Sequence, residues 1–169
     1  MKNIVLTGMM GSGKTTCGRL LAAALGRKFL DTDDEIVRRD GRRIPEIFAE
    51  SGETFFRELE SAAARDLAAE RGAVLATGGG MVLRRENMDA LKKTGFVVFL
   101  DRPPDVIYDT TALSGRPLAA GGREAFLATF AAREPFYRES ADYICRVAGS
   151  AADAAAEILK FIYGTEGIL

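Results

Sequence analysis

Histidine is missing altogether from these 169 residues. That absence alone removes the Ser-His-Asp arrangement, the histidine-ligated zinc site and the histidine general base. Cysteine is nearly as scarce. Cys17 and Cys145 stand far apart at no metal-binding spacing, as expected for a reducing cytoplasm, and Cys17 is expected to pack inside a helix. No apolar run approaches the ~20 residues that span a bilayer, so no membrane partner is expected. Charge of neither sign is in excess, with 23 basic against 24 acidic residues, and no global field advertises nucleic acid. Met1 and Lys2 lead directly into an apolar run, which leaves no room for a secretory signal. The length suits one domain with a real core, and no internal repeat or interdomain linker is visible.

What is present is concentrated first at Gly8-Met9-Met10-Gly11-Ser12-Gly13-Lys14-Thr15, which reads G-x-x-x-x-G-K-[ST]. The apolar run Ile4-Val5-Leu6 precedes it, and Leu20, Leu21, Ala24 and Leu25 follow at the spacing of one helix face. Strand, glycine loop and helix in that order make a phosphate-binding P-loop, in which backbone N–H groups turn inward and the helix adds its positive end. Gly11, Ser12, Gly13, Lys14, Thr15 and Thr16 are the candidate nucleotide-binding residues. Lys14 is placed to bridge the β- and γ-phosphates and Thr15 to ligate Mg²⁺. A glycine-rich turn in an ordinary βα unit is the plainer reading, and the complete pattern with its correct flanks argues against it.

Strands alternate with helices along the rest of the chain, which predicts a mainly parallel sheet with helices on both faces. Lys28-Phe29-Leu30 reads as a strand running into Asp31-Thr32-Asp33-Asp34. Asp33 or Asp34 suits the cap of a helix over 34–40, while acids at a strand's C-terminal end also lie where such sheets bind ligands. Gly52 divides a short helix opening at Ile44-Pro45 from a longer one over about 53–70, whose apolar face is Phe56, Leu59, Ala63 and Leu67. Arg57 in that helix reads, from spacing alone, as a solvent-facing arginine paired with Glu53, Glu58 or Glu60. The strand Val74-Leu75-Ala76 ends in Thr77-Gly78-Gly79-Gly80, three glycines that suit close approach by a ligand or another backbone. A polar helix over 84–93 and the strand Phe96–Leu100 follow. Residues 111–123 lack periodicity and suit a lid, with Arg116 or Arg123 reaching the phosphates. Beyond them come a helix over 123–140, kinked or broken at Pro135, a strand at Tyr143-Ile144-Cys145, and a closing helix over 151–163 with Ile158, Leu159 and Ile162 inward. The tail from Gly164 is expected to fray.

Taken together, these residues resemble the shikimate kinase family over essentially the whole chain. The resemblance is carried by the P-loop, Asp31-Thr32-Asp33, Phe56-Arg57, Gly78-Gly79-Gly80, Arg116-Pro117-Leu118 and Arg133-x-Pro-x-Tyr137. It implies an α/β, three-layer P-loop kinase fold with a five-stranded parallel sheet flanked by helices, plus a lid at about 111–123. One domain is then expected over 1–169, with its substrate-binding region at about 32–60. It also implies transfer of the ATP γ-phosphoryl group to the 3-hydroxyl of shikimate by a monomeric cytoplasmic enzyme.

By position, the resemblance gives Arg57 and Arg133 the substrate carboxylate, and Asp33 the ring hydroxyls, one of which it orients or deprotonates. Gly78, Gly79 and Gly80 would back the substrate. Mg²⁺ would fall to Thr15 and, through a water, Asp31. Lys14 and Arg116 would compensate charge on the transferred group. Asp109 departs from the family pattern, since many members carry an adenine-stacking arginine seven residues before the lid arginine. An aspartate there cannot stack and would repel phosphate, which leaves Tyr108 or the loop after Cys145 to meet adenine. Two rivals remain open: another small-molecule P-loop kinase, acting on gluconate or a nucleoside monophosphate, and a catalytically silent nucleotide-binding module. The Arg57/Arg133 pair and the intact Lys14, Thr15, Asp31 and Asp33 argue against them.

Overall fold

A computed structural model describes residues 1–110, 121–146 and 149–168. Five strands form one sheet: β1 (Asn3–Thr7), β2 (Phe29–Asp31), β3 (Val74–Ala76), β4 (Gly95–Asp101) and β5 (Tyr143–Arg146). Every pairing is parallel and the order is β2-β3-β1-β4-β5, with β1 in the centre. Alternate residues of each strand feed opposite faces. On one face Ile4, Leu6, Val98 and Leu100 pack with Cys17, Leu21, Ile158 and Ile162. On the other, Val5, Leu75, Val97 and Phe99 pack with Ala64, Leu67, Met88 and Leu91. The helices doing this covering include α1 (Lys14–Leu25) and α7 (Ala151–Tyr163) on the first face. The second face is covered by α3 (Ile44–Ala68) and α4 (Arg85–Lys92). Because both faces are covered, the strands read as continuous apolar runs, the pattern that made them visible in the sequence.

The central position of β1 decides where function can sit. Its neighbours β3 and β4 lie on opposite sides, so a crevice opens beyond the strands' C-terminal ends, where doubly covered parallel sheets bind ligands. The glycine loop leaves β1 at that end, and α2 (Thr32–Asp40) leaves β2 there too.

Several expectations need correction. The buried face of α1 is Lys14, Cys17, Gly18, Leu21 and Ala22; Leu20 and Ala24 face solvent. Helix α2 begins at Thr32, two residues earlier than expected, so neither Asp33 nor Asp34 caps it. Asp31, still extended at φ −121°, does so by accepting from the Asp33 N–H at 3.0 Å. The break at Gly52 is real, with φ 79° and ψ 174° inside α3. A further helix, α5 (Pro104–Thr110), fills a stretch with no marked periodicity. Helix α6 (Gly122–Ser140) runs on through Pro135 without interruption. It also takes in Arg123, whose guanidinium pairs with Asp105 at 2.6 Å and with Asp109, both on α5. Residues 111–120 of the assigned lid, Arg116 and Pro117-Leu118 among them, lie outside the described residues.

The tail is docked, not frayed. Ile168 is buried in the core with Ile158 and Ile162, and its carbonyl accepts from the Lys2 N–H. Ile168→Ala should therefore lower unfolding free energy by about 2 kcal/mol, at the low end for a core truncation because a chain end can settle into the gap. A urea titration of the two proteins checks this.

Burial also governs the cysteines: both are fully enclosed, and desolvation pushes each thiol up to about 12. Neither should react with a thiol reagent at pH 8 until denaturant is added, when both should.

Candidate active site

Three strand ends and four helices bring most of the predicted residues to one cavity of about 550 Å³, while Ser12 lines a small separate pocket. The lining of the large cavity includes Gly11, Gly13, Lys14, Thr15 and Thr16 from the loop and α1, together with Asp31 and Asp33 from β2 and α2. Arg57 on α3, Gly78, Gly79 and Gly80 after β3, and Arg133 on α6 line the same space. Asp34 faces solvent, so two acids of the three serve this space.

The loop is shaped by its backbone. Gly8 has φ 144°, and a Cβ there would sit 2.9 Å from the Leu100 carbonyl and 3.0 Å from Ser12 Oγ, so only glycine fits. Helix α1 then starts at Lys14 with no acidic residue in its first turn, which leaves its positive end available to an anion. The Lys14 ammonium is buried and donates to the carbonyls of Gly8 and Met9 at 2.8 Å each. The Thr15 hydroxyl donates to Asp31 Oδ2 at 2.9 Å. Asp31 thus caps α2 with one oxygen and holds Thr15 with the other. Among the described residues no group of three or more His, Cys, Asp or Glu forms a metal cage. A hydroxyl beside a carboxylate is instead the sparse, hard oxygen set from which Mg²⁺ is held together with phosphates and water.

The basic half of the cavity is built around a buried ion pair. Arg57 Nη1 donates to Glu60 Oε2 at 2.7 Å, one helical turn away, and both side chains are almost fully enclosed. Burial pushes the Glu60 carboxyl above its ordinary value, against the pull of Arg57 and Arg133. The other side of Arg57 meets Glu53, while Glu58 turns away to Arg84. Spacing therefore named two of the partners of Arg57 correctly but put it on the surface. Phe56 and Arg57 both turn inward, and the Arg57 guanidinium lies 5.4 Å from the centre of the Phe56 ring. Arg133 is buried as well, and neither its Nη1 nor Glu60 Oε1 has a hydrogen-bond partner among the described residues.

The glycines also make room within the site: a Cβ on Gly79 would fall 3.2 Å from the Met10 backbone nitrogen. A Cβ on Gly80 would fall 2.0 Å from Arg57 Nη1, and one on Gly78 would fall 2.8 Å from Asp33 Oδ1 and 3.0 Å from Glu60 Oε1. The missing side chains make room for the site's own charged groups. Two hydrogen bonds fix the loop: the Gly78 N–H donates to Thr32 Oγ1 at 2.9 Å, and the Tyr137 hydroxyl donates to the Gly79 carbonyl at 2.5 Å. Tyr137 stacks on Phe99 of β4 at 5.0 Å, and burial pushes its hydroxyl up to about 12, so it stays a donor at any physiological pH.

With this geometry established, comparison with known proteins is decisive. The family model for shikimate kinase matches residues 10–163. The chain belongs to the shikimate kinase family. A shikimate kinase of Symbiobacterium thermophilum is 48% identical over 94% of both chains. One of Clostridium beijerinckii is 44% identical over 86% of both. Among solved structures, a shikimate kinase of Acinetobacter baumannii in complex with shikimate superposes with a TM-score of 0.93 at 40% identity. It covers 99% of this chain and 96% of its own.

Within this family member, four further residues contribute to the site; sequence reasoning named Thr32, Phe56 and Tyr137 in motifs without these roles and did not single out Phe48. Thr32 and Tyr137 act through backbone groups, which no side-chain pattern announces. Phe48 and Phe56, with ring centres 4.6 Å apart, form an apolar wall of the cavity with Ile44 and Pro45. The signal for those was present, since apolar residues cluster on both sides of Gly52. Asp109, suspected of repelling phosphate, shares the Arg123 guanidinium with Asp105, and Arg123 lies 5.6 Å from the centre of the Tyr108 ring.

Gly80→Ala should force Arg57 away from Glu60 and strand a buried carboxylate. A loss of about 3 kcal/mol in unfolding free energy is expected. The Gly80→Ala/Glu60→Gln double variant, with the stranded charge removed, should recover part of it in the same denaturant assay.

Proposed function

We propose a division of labour for the reaction that this family member catalyses, the phosphorylation of shikimate with ATP as co-substrate. One observation carries it: the glycine loop, Asp33 and two buried arginines face a single cavity. Gly11, Ser12, Gly13, Lys14, Thr15 and Thr16 hold the triphosphate, and Lys14 exchanges its loop carbonyls for phosphate oxygens. Arg57 and Arg133 hold the substrate carboxylate, a match of guanidinium donors to carboxylate acceptors. Asp33 accepts from the ring hydroxyls and orients or deprotonates the 3-hydroxyl. Gly78, Gly79 and Gly80 keep Asp33, Glu60 and Arg57 close behind the substrate. Thr15 and, through a water, Asp31 would hold Mg²⁺, which would compensate the charge of the transferring group. Arg116 closes over the phosphates and helps exclude water, which would otherwise accept the phosphoryl group.

Little covalent participation is asked of the protein, because positioning and charge compensation supply most of the acceleration in phosphoryl transfer. The protein works as a cytoplasmic monomer without nucleic-acid or membrane partners. Its two cysteines are free and buried, and no described helix is long and apolar enough to cross a membrane.

An ADP-release assay with ATP and Mg²⁺ tests the assignment, with shikimate, gluconate, AMP or no acceptor in parallel. Only shikimate should support turnover. Arg133→Ala should raise KM for shikimate at least about tenfold, a charge-assisted contact's share. Asp33→Asn should lower kcat by roughly 10²-fold or more, the scale of a lost general base. Turnover on gluconate or AMP would overturn the acceptor, and an unaffected Asp33→Asn enzyme would overturn the role of that carboxylate.

A further inference from the structure

We propose that Glu53 is a positioning residue for Arg57. It braces the outer edge of the guanidinium and so fixes the direction of the N–H groups left to face the cavity. This rests on the assignment of Arg57 to the substrate carboxylate made above. A guanidinium carries five N–H donors in one plane. On Arg57, Nη1 donates to Glu60 Oε2 at 2.7 Å, while Nε and Nη2 donate to a single oxygen, Oε1 of Glu53, at 3.3 and 3.0 Å. Five donors less these three leaves two for an entering ligand. The two carboxylates differ in place. Glu60 is enclosed and lines the cavity, whereas Glu53 is 64% exposed and does not line it, so Glu53 holds Arg57 from the solvent side without occupying the substrate's space.

The backbone makes this brace inexpensive. Gly52, at φ 79° and ψ 174°, breaks α3 immediately before Glu53, which therefore opens a new helical run four residues ahead of Arg57. An acid N-terminal to a base at that spacing is the favoured orientation, and the positive end of the run suits a carboxylate. An exposed ion pair adds little to stability, so the effect belongs to binding.

Two consequences of removing Glu53 oppose each other. Loss of the brace lets the guanidinium turn away from an anionic substrate, and loss of a nearby negative charge favours that substrate. Glu53→Ala removes both brace and charge, whereas Glu53→Gln removes the charge and keeps an oxygen at Oε1. Steady-state kinetics separate these effects in wild type, Glu53→Ala, Glu53→Gln, Arg57→Lys and the Glu53→Ala/Arg57→Lys double variant. Glu53→Ala should raise KM for shikimate about fivefold, the size of a lost hydrogen bond. Its kcat and its KM for ATP should stay within about twofold of wild type, an effect too small to count as a lost contact. Glu53→Gln should restore KM, and Glu53→Ala should add nothing to Arg57→Lys, because lysine has no Nε–Nη2 edge to brace. If Glu53→Ala leaves or lowers KM while Arg57→Lys raises it, the brace is wrong and the carboxylate assignment stands. If Arg57→Lys leaves KM unchanged, the assignment of Arg57 is overturned and the brace with it.

Discussion

A guanidinium removed from water needs a carboxylate beside it, and the basic half of this site follows from that requirement. Arg57 and Glu60 satisfy it within one helix turn, so α3 delivers both members of the pair together. Their enclosure then limits everything nearby. The chain after β3 has to run close against them, and it can do so only where Gly78 and Gly80 carry no side chain. A glycine run placed there would be loose by itself. Thr32 at the head of α2 and Tyr137 on α6 hold it by its backbone, and Tyr137 is in turn seated on Phe99 in the sheet. A charge requirement in one helix thus connects four separated parts of the chain.

The fold was legible where local chemistry decides structure. The P-loop declares itself through strand, glycines and helix in succession, and the five strands through apolar runs that only a doubly covered parallel sheet allows. Most candidate site residues were legible for the same reason, because Lys14, Thr15, Asp31, Asp33 and the glycines stand at the C-terminal ends of those strands. What stayed hidden depends on depth and on long-range contacts. Spacing tells which face of a helix a residue occupies and not how far that face is covered. That is why Arg57 read as exposed, Leu20 as buried and the tail at Ile168 as free. The start of α2 was misplaced because three acids compete for its cap. The winner, Asp31, was decided by a backbone still extended at that residue and by its second bond to Thr15.

The distribution of charge explains how two anions can share one cavity. Inside the basic half, Arg57 and Arg133 carry two positive charges against the single enclosed negative charge of Glu60, and Glu53 meets Arg57 only from the solvent side. Lys14 and the positive end of α1 form a second, separate region of positive charge in the same cavity. On the role proposed for it, Asp33 would oppose an approaching phosphate until a donating hydroxyl turned that charge toward activating the acceptor. On the α5–α6 side the same rule holds. Asp105 and Asp109 would repel the nucleotide, and Arg123, placed between them and over Tyr108, cancels much of that field before any ligand binds. Balancing charge locally in this way, group by group, lets a chain with almost no net charge keep two separate regions of positive charge in one cavity.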